Sequence, residues 1–355
     1  VTFELGQESS CLDSSAGSSQ PRLAWRLCEV TMVSPDSPDP SVAVPAPGRA
    51  EPELRLAELV AAFSLVSDLA MGHPSDEAMR ACLLATGLAR RLGRPEAEVA
   101  DIYWTTLLAH SGCTAFAHEQ AALFAGDEIA VNAAGSRADF EEPREILLFL
   151  REVGRGRGAA DRLRIVIGAV TGGRRLDREL ATANCEIAVT VARRLGLGPA
   201  VDAGLLDLFE RWDGKGAPRG VRGDAIAEPA RFAQVAHQAA VFARLGGTAA
   251  VVAMAGRRAG TALDPALARA FEREAASLID SLDTVDPCSA VVSAEPAPAL
   301  RVPAPRLGEV AAVFADMVDL KTPLLMGHSR RVAELAGAAG RELGMPPDEV
   351  EPLRL

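Results

Sequence analysis

Aromatic residues are scarce, at 4% of the 355 residues, with one tyrosine and three tryptophans. A core for this chain must be built mostly of Ala, Leu and Val. Ala and Leu head the helix-propensity scale, so that alphabet points to an all-α fold. Basic charge is also in deficit: the net charge of -11 excludes a chain-wide nucleic-acid surface, which needs a basic stripe to displace counterions from phosphates. No basic recognition helix stands out between 50 and 355. Among Cys11, Cys28, Cys82, Cys113, Cys185 and Cys288 there is no CxxC pair and no metal-type spacing, so they read as small buried apolar residues in a reducing compartment. No apolar run approaches the roughly 18 residues that span a membrane, and the N-terminus lacks the basic-then-apolar order of a signal peptide. A cytoplasmic chain with neither membrane nor nucleic acid as partner is expected.

What is present begins after residue 50. Residues 1–50 are rich in Ser, Pro, Asp and Gly, too poor in apolar residues to offset chain entropy, and are expected to be a disordered tail; Met32 lies within it as a conceivable start. Leu56, Leu59, Val60, Phe63, Val66 and Leu69 then recur at helical spacing and predict one apolar face. A second helix is expected over about 76–92, with Met79, Leu83, Leu84, Leu88 and Leu92 inward and Gly93 as its stop. A third starts near Pro95 and runs into Ala109-His110-Ser111-Gly112. Residues 113–205 read as helical, most clearly Glu186 to Leu195 closed by Gly196 and Gly198, followed by helices at Pro229 to Leu245 and Pro265 to Leu282. Residues 55–283 therefore predict one helical domain. Residues 284–305, Ala-, Pro- and Val-rich without a period, predict a linker.

The chain also repeats itself. At an offset of 251, residues 55–102 align without a gap on 306–353, and sixteen of the forty-eight positions are identical, including Phe63 with Phe314, Asp68 with Asp319 and Pro95 with Pro346. Shared helical composition would not align caps and loop residues, so one module followed by the start of a second, at 306–355, is expected.

Between two helical runs lies ERWDGKGAPRGVRGDAI, whose glycines and proline cannot continue a helix. This string, together with GHSRRVAELA in the second copy, resembles the HD-GYP family of all-helical, metal-dependent phosphohydrolases that cleave cyclic dinucleotides. The resemblance implies an HD-domain-like bundle followed by the first helices of a second HD-GYP-like copy. In the second copy it makes His328 the first metal-ligand position. The 251 offset then puts Glu77 in that place in the first copy and leaves His73 four residues out of register, as a loop or helix-start histidine. The family's His-Asp pair falls on Ala109 and His110, its paired histidines on Leu208 and Phe209 ahead of Glu210, its loop tyrosine on Ala217 and its distal aspartate on His237.

Glu77, His110, Glu210 and His237 thus remain as donors in the first copy, with His328 in the second. If the site survives, the cofactor implied is a divalent metal, iron or manganese; three apolar replacements predict instead a cavity filled with side chains. The loop Trp212, Asp213, Gly214, Lys215, Gly216, Pro218 and Arg219, with Arg222 beside it, is a candidate anion-binding turn. Its structural alternative is Trp212 plugging the core with Asp213 capping the next turn. Functionally, the leading expectation is a catalytically inactive regulatory or interaction module, with a homo-oligomer or a partner signalling protein as its contact and a cyclic dinucleotide as the ligand class the family implies. The competing expectation is an active phosphohydrolase with substitute ligands. Because the second His-Asp pair falls at about 360 and 361 by the same offset, the N-terminal part of a longer phosphohydrolase or transcription regulator is also expected.

Overall fold

A computed structural model describes residues 54–113 and 128–355; the tail expected at 1–50, and residues 114–127 of the helical reading over 113–205, lie outside the described residues. The elements are β1 (Leu54–Arg55), α1 (Leu56–Ala70), α2 (Glu77–Arg91), α3 (Glu96–Leu107), α4 (Glu128–Gly135), α5 (Pro143–Glu152), α6 (Ala159–Leu195), α7 (Pro199–Leu206), α8 (Glu228–Arg258), α9 (Pro265–Asp283), α10 (Pro287–Ala294), β2 (Arg301–Val302), α11 (Ala304–Asp319), α12 (His328–Glu342) and α13 (Pro347–Val350). Among the described residues the sheet is confined to the antiparallel pairing of β1 with β2, Leu54 opposite Val302. The all-α expectation holds.

The core has two parts with a common wall. Leu84 and Leu88 of α2 and Ile102 of α3 pack with Phe232 and Val235 of α8 and Phe271 of α9. On the other flank, Met79 of α2 and Tyr103 and Leu107 of α3 pack with Leu56 and Val60 of α1, Val191 of α6, Leu205 of α7 and Val310 of α11. Each fully buried Leu or Phe contributes about 1.5–3 kcal/mol. Local signals set the boundaries. Gly93 and Gly196 take left-handed φ values of 69° and 86° just past their helices, where Arg94 N–H reaches back to Ala89 O and Leu197 N–H to Ala192 O. Asp264 starts α9 by accepting from the N–H groups of Ala266 and Leu267.

Several expectations differ from the structure. Val66 and Leu69 of α1 are half exposed: the buried stripe is Leu56, Val60, Phe63 and Ser67, and the two apolar residues fall beyond its edge. Leu92 follows α2 and is exposed. The helix expected over Pro229 to Leu245 does stop there, because Gly246 and Gly247 leave helical geometry, but a further helical stretch that was not expected follows to Arg258. That helix, Glu228–Arg258, is long and apolar enough by length and composition to cross a membrane, which corrects the reading that no run approaches that length. It is a core helix rich in Ala and Val, and Ala230, Phe232, Ala233 and Val235 are buried. The stretch read as a linker holds α10, where Asp286 accepts from Ser289 N–H at 2.8 Å and Pro287 fills the first turn. Tyr103, the single tyrosine, donates to Val291 O at 2.9 Å and ties α10 to α3.

The repeat is visible in three dimensions. Asp68 is fully buried and accepts from Ala78 N–H at 2.9 Å; its counterpart Asp319 accepts from Ser329 N–H at 3.0 Å. In both copies a carboxylate near the end of one helix therefore caps the start of the next. The equivalent positions also meet. Phe63 stacks on Phe314 with centroids 4.7 Å apart and planes within 9°, and Lys321 Nζ donates to Ala70 O at 3.3 Å. If α1 and α11 ran antiparallel through the Phe63–Phe314 contact, residues 70 and 321 would be about 20 Å apart at 1.5 Å per residue. The two helices therefore lie side by side in the same direction and in register.

Candidate metal centre

The site is assembled by the turns that end α1 and α3 and by one face of α8. At the end of α1, Gly72 takes a φ of 74°, and His73 N–H bonds back to Asp68 O at 2.9 Å. A side chain at 72 would meet the backbone of Ile129 at 3.0 Å, so glycine is required there. This reversal lays His73 over the first turn of α2, where its Nδ1 lies 2.7 Å from Glu77 Oε1. After α3, successive turns, Ser111 N–H to Leu108 O and Cys113 N–H to His110 O, present His110 inward. His110 Nδ1 lies 2.7 Å from Asp68 Oδ1. Asp68 so holds the start of α2 with one oxygen and the His110 ring with the other.

His73, Glu77 and His110 each offer a ligand atom, and these atoms lie within 4.8 Å of one another. The His73 and His110 rings are 4.9 Å apart. His237 of α8 joins them, with its ring 4.6 Å from that of His110. Its Nε2 meets Thr106 O at 3.2 Å; a carbonyl only accepts, so Nε2 carries the proton. Its Nδ1 is sealed from solvent and has no hydrogen-bond partner.

Charge is arranged to match. Burial works against the Glu77 carboxylate, but the hydrogen bond and charge of His73, with His110 and Arg244, hold its pKa below the ordinary glutamate value. Burial also disfavours a charged His110, yet the hydrogen bond and charge of Asp68, with Glu77, hold it above the ordinary histidine value. Burial, with the charges of His110 and His73, pushes His237 well below that value and keeps it neutral. Imidazole nitrogens with a carboxylate suit a borderline first-row divalent cation, and the Asp68–His110 contact is the kind that orients a ligating ring. The residues present therefore fit one such ion.

Of the donors read from the sequence, Glu77, His110 and His237 are brought together. His73, set aside as out of register, stands among them. Its signal was the i, i+4 spacing from Glu77 across a helix start. Glu210 serves the loop: its Oε1 accepts from Arg219 N–H at 2.7 Å and Gly220 N–H at 3.0 Å. Burial raises its pKa against the pull of those two N–H groups. His328 is exposed at the start of α12. The positions of the missing ligands are not uniformly packed shut. Ala109 is buried, Leu208 is partly buried in the α1–α3 flank of the core, and Phe209 is 40% exposed.

The glycine-rich loop is held by its own acids. Lys215 Nζ lies 3.2 Å from Glu141, Arg219 pairs with Asp207, and Arg211 bridges Asp213 and Asp139. Asp213 Oδ1 accepts from Lys215 N–H at 3.0 Å, turning the chain. Trp212 is part-buried, with the Arg231 guanidinium 5.9 Å over its ring, and its backbone N–H bonds to Ala262 O. A Cβ at Gly216 would fall 2.4 Å from Arg211 N, which explains the glycine. Gly214 has a φ of 80°, and Pro218 follows a cis bond.

No family model matches the chain. Over 293 residues it is 27% identical to the 3'3'-cGAMP-specific phosphodiesterase 3 of Vibrio cholerae serotype O1 (strain ATCC 39315 / El Tor Inaba N16961), covering 82% of this chain. The chain spans about 64% of that relative's length. Its fold is similar to the crystal structure of a cyclic GMP-AMP specific phosphodiesterase of V. cholerae, with a TM-score of 0.66 and 24% identity, over 85% of this chain and 69% of the other.

Proposed function

We propose that this chain, a relative of the HD-GYP phosphohydrolases by sequence and fold, is a regulatory and interaction module that does not itself cleave cyclic dinucleotides. Cyclic-dinucleotide phosphodiesterase ancestry supplies the frame. The observation that carries the reading is the chemistry at the ligand places: Ala109, Leu208 and Phe209 present only carbon where the resemblance calls for three histidines. A two-ion phosphodiesterase clamps both the attacking and the leaving oxygen of an in-line displacement. The donors gathered here, His73, Glu77 and His110, are too few for a pair of ions. When bound, a single divalent ion supplies Lewis acidity to a phosphate oxygen. Around it, Asp68 orients His110 and Thr106 O orients His237.

The interaction half of the reading rests on the packing of the second copy's opening helix against the first copy, Phe314 on Phe63. A degenerate copy that holds the start of another in register is a platform for it. The partner class is a second HD-GYP-like copy, in the same or another chain.

The test is turnover of 3'3'-cGAMP and other cyclic dinucleotides by purified protein supplied with manganese or ferrous iron. No hydrolysis above a metal-only control is expected. Hydrolysis that His110→Ala abolishes would overturn the proposal in favour of an active enzyme with substitute ligands, the second reading that the His73, Glu77 and His110 cluster favours.

A further inference from the structure

We propose that a basic, leucine-bearing arm formed by α5 and the start of α6 docks, head to tail, on the acidic and apolar face that α12 and α13 present in a second copy of this chain. None of the ten residues of α5 is buried. Arg144, Leu147, Leu148 and Arg151 recur on it at i, i+3, i+4 and i+7, so they share one face. Leu147 and Leu148 are each 56% exposed, and Leu163 near the start of α6 is 61% exposed. Over residues 143–167, Arg144, Arg151, Arg155, Arg157 and Arg164 are exposed against one exposed acid, Asp161. In a chain of net charge -11 this arm stands out as basic. Leucines flanked by arginines have the composition of a protein interface, apolar at the centre with charge at the rim.

The complementary surface lies on the same chain. Val332, Leu335 and Leu343 fall along one side of α12 and its end and are 49%, 62% and 80% exposed. At the 251 offset Val332 and Leu335 correspond to Ala81 and Leu84 of α2, both fully buried, and Leu84 packs against α8 and α9. The α12 stripe is therefore of a kind that the fold covers in its first copy, and here it is bare. Its charge is opposite to that of the arm. Arg330 is taken up by Asp316, and residues 342–351 hold four exposed carboxylates, Glu342, Asp348, Glu349 and Glu351, with no basic residue. Two copies of an acidic chain repel except where unlike patches meet; these two patches supply both the unlike charge and an apolar centre. Local pairs on them, Arg155 with Glu152, Arg164 with Asp161 and Arg354 with Glu351, are exposed and weak enough to exchange partners. Because the two faces differ, the contact is heterologous and continues into a ring or a short chain of copies.

The experiment is sedimentation velocity of the full chain across a dilution series at low and high salt. Reversible, concentration-dependent association that weakens in salt is expected. Reversing the arm (Arg144→Glu with Arg151→Glu) or the face (Glu342→Arg with Glu349→Arg) should each weaken it by about tenfold or more, with helix content unchanged by circular dichroism. An equimolar mixture of the two reversed chains should associate again, because each retains the patch that the other has lost. A monomer at every concentration, association that ignores both reversals, or a mixture that does not recover, as an arm-to-arm contact would give, overturns the proposal. So does a monomeric chain whose arm binds phosphatidylserine vesicles, which would make an anionic bilayer the occupant. Turnover of a cyclic dinucleotide would leave this contact standing and defeat the regulatory reading, so the two fail separately.

Discussion

Phe63 and Phe314 occupy the same position in the two repeats and stack on one another, with centroids 4.7 Å apart. A contact between counterparts ties the internal repeat to a physical seam. Seven residues further on, Ala70 and Lys321 meet as well, so α1 and α11 keep their register over two helical turns.

A double-mutant cycle on that pair should therefore show coupling. Phe63→Ala and Phe314→Ala should each destabilise the chain, and the interaction energy beyond their separate effects should be about 0.5–1.5 kcal/mol, as for other aromatic pairs. Urea melts of the two single variants and the double variant measure it. Strict additivity would mean that the stack contributes area alone.

Gly112 lies two residues past His110, where a Cβ would fall 2.1 Å from the carbonyl oxygen of Asn184 on α6. Backbone cannot retreat as a flexible side chain can. Gly112→Ala should cost about 1–3 kcal/mol as an overpacking change, read as a lower urea midpoint. Gly93→Ala, where no atom lies within 4 Å, should cost less, through its positive φ alone.

The ties of α11 to α6 and α12 should loosen in acid. The Asp316 carboxylate of α11 is held below the ordinary aspartate value of 3.8, first by its hydrogen bond from Arg330 and, against partial burial, by Arg194 of α6. A carboxyl whose native pKa is depressed stabilises the fold fully above its unfolded value and loses that contribution as pH falls through the native one. Melting temperature should therefore drop as pH falls below about 3.8, and Asp316→Asn should flatten part of that slope. Surface pairs of this kind are screened, so the effect should shrink in high salt.

Thiol chemistry offers a check on the core. Burial pushes the Cys113 and Cys185 thiols up to about 12 and raises Cys82 well above the ordinary value. All three should resist iodoacetamide at pH 8 in the native chain and react in urea, as peptide mass mapping would show. Rapid native labelling of Cys113 would contradict the packing around His110.

Much of the framework was legible because its signals are local. Gly93 and Gly196 end helices where the apolar period breaks, and Pro265 starts one. The site was only half legible. Glu77, His110 and His237 follow from the family register, but His73 does not: its place depends on a left-handed turn at Gly72 that bends the chain by an angle no periodicity encodes. Asp68 left a trace in its identity with Asp319, yet the bond to His110 is a long-range contact across 42 residues. The linker at 284–305 was misread for a different reason. Eight residues of helix carry too little period to detect, and the tether from Tyr103 to Val291 is tertiary.

The side-by-side packing of α1 and α11 has one more consequence. A surface that accepts its own duplicate obeys the rule of a twofold oligomer. Here that self-complementary contact is closed within a single chain, Phe63 against Phe314, so the duplicated helix satisfies the surface that its own counterpart presents.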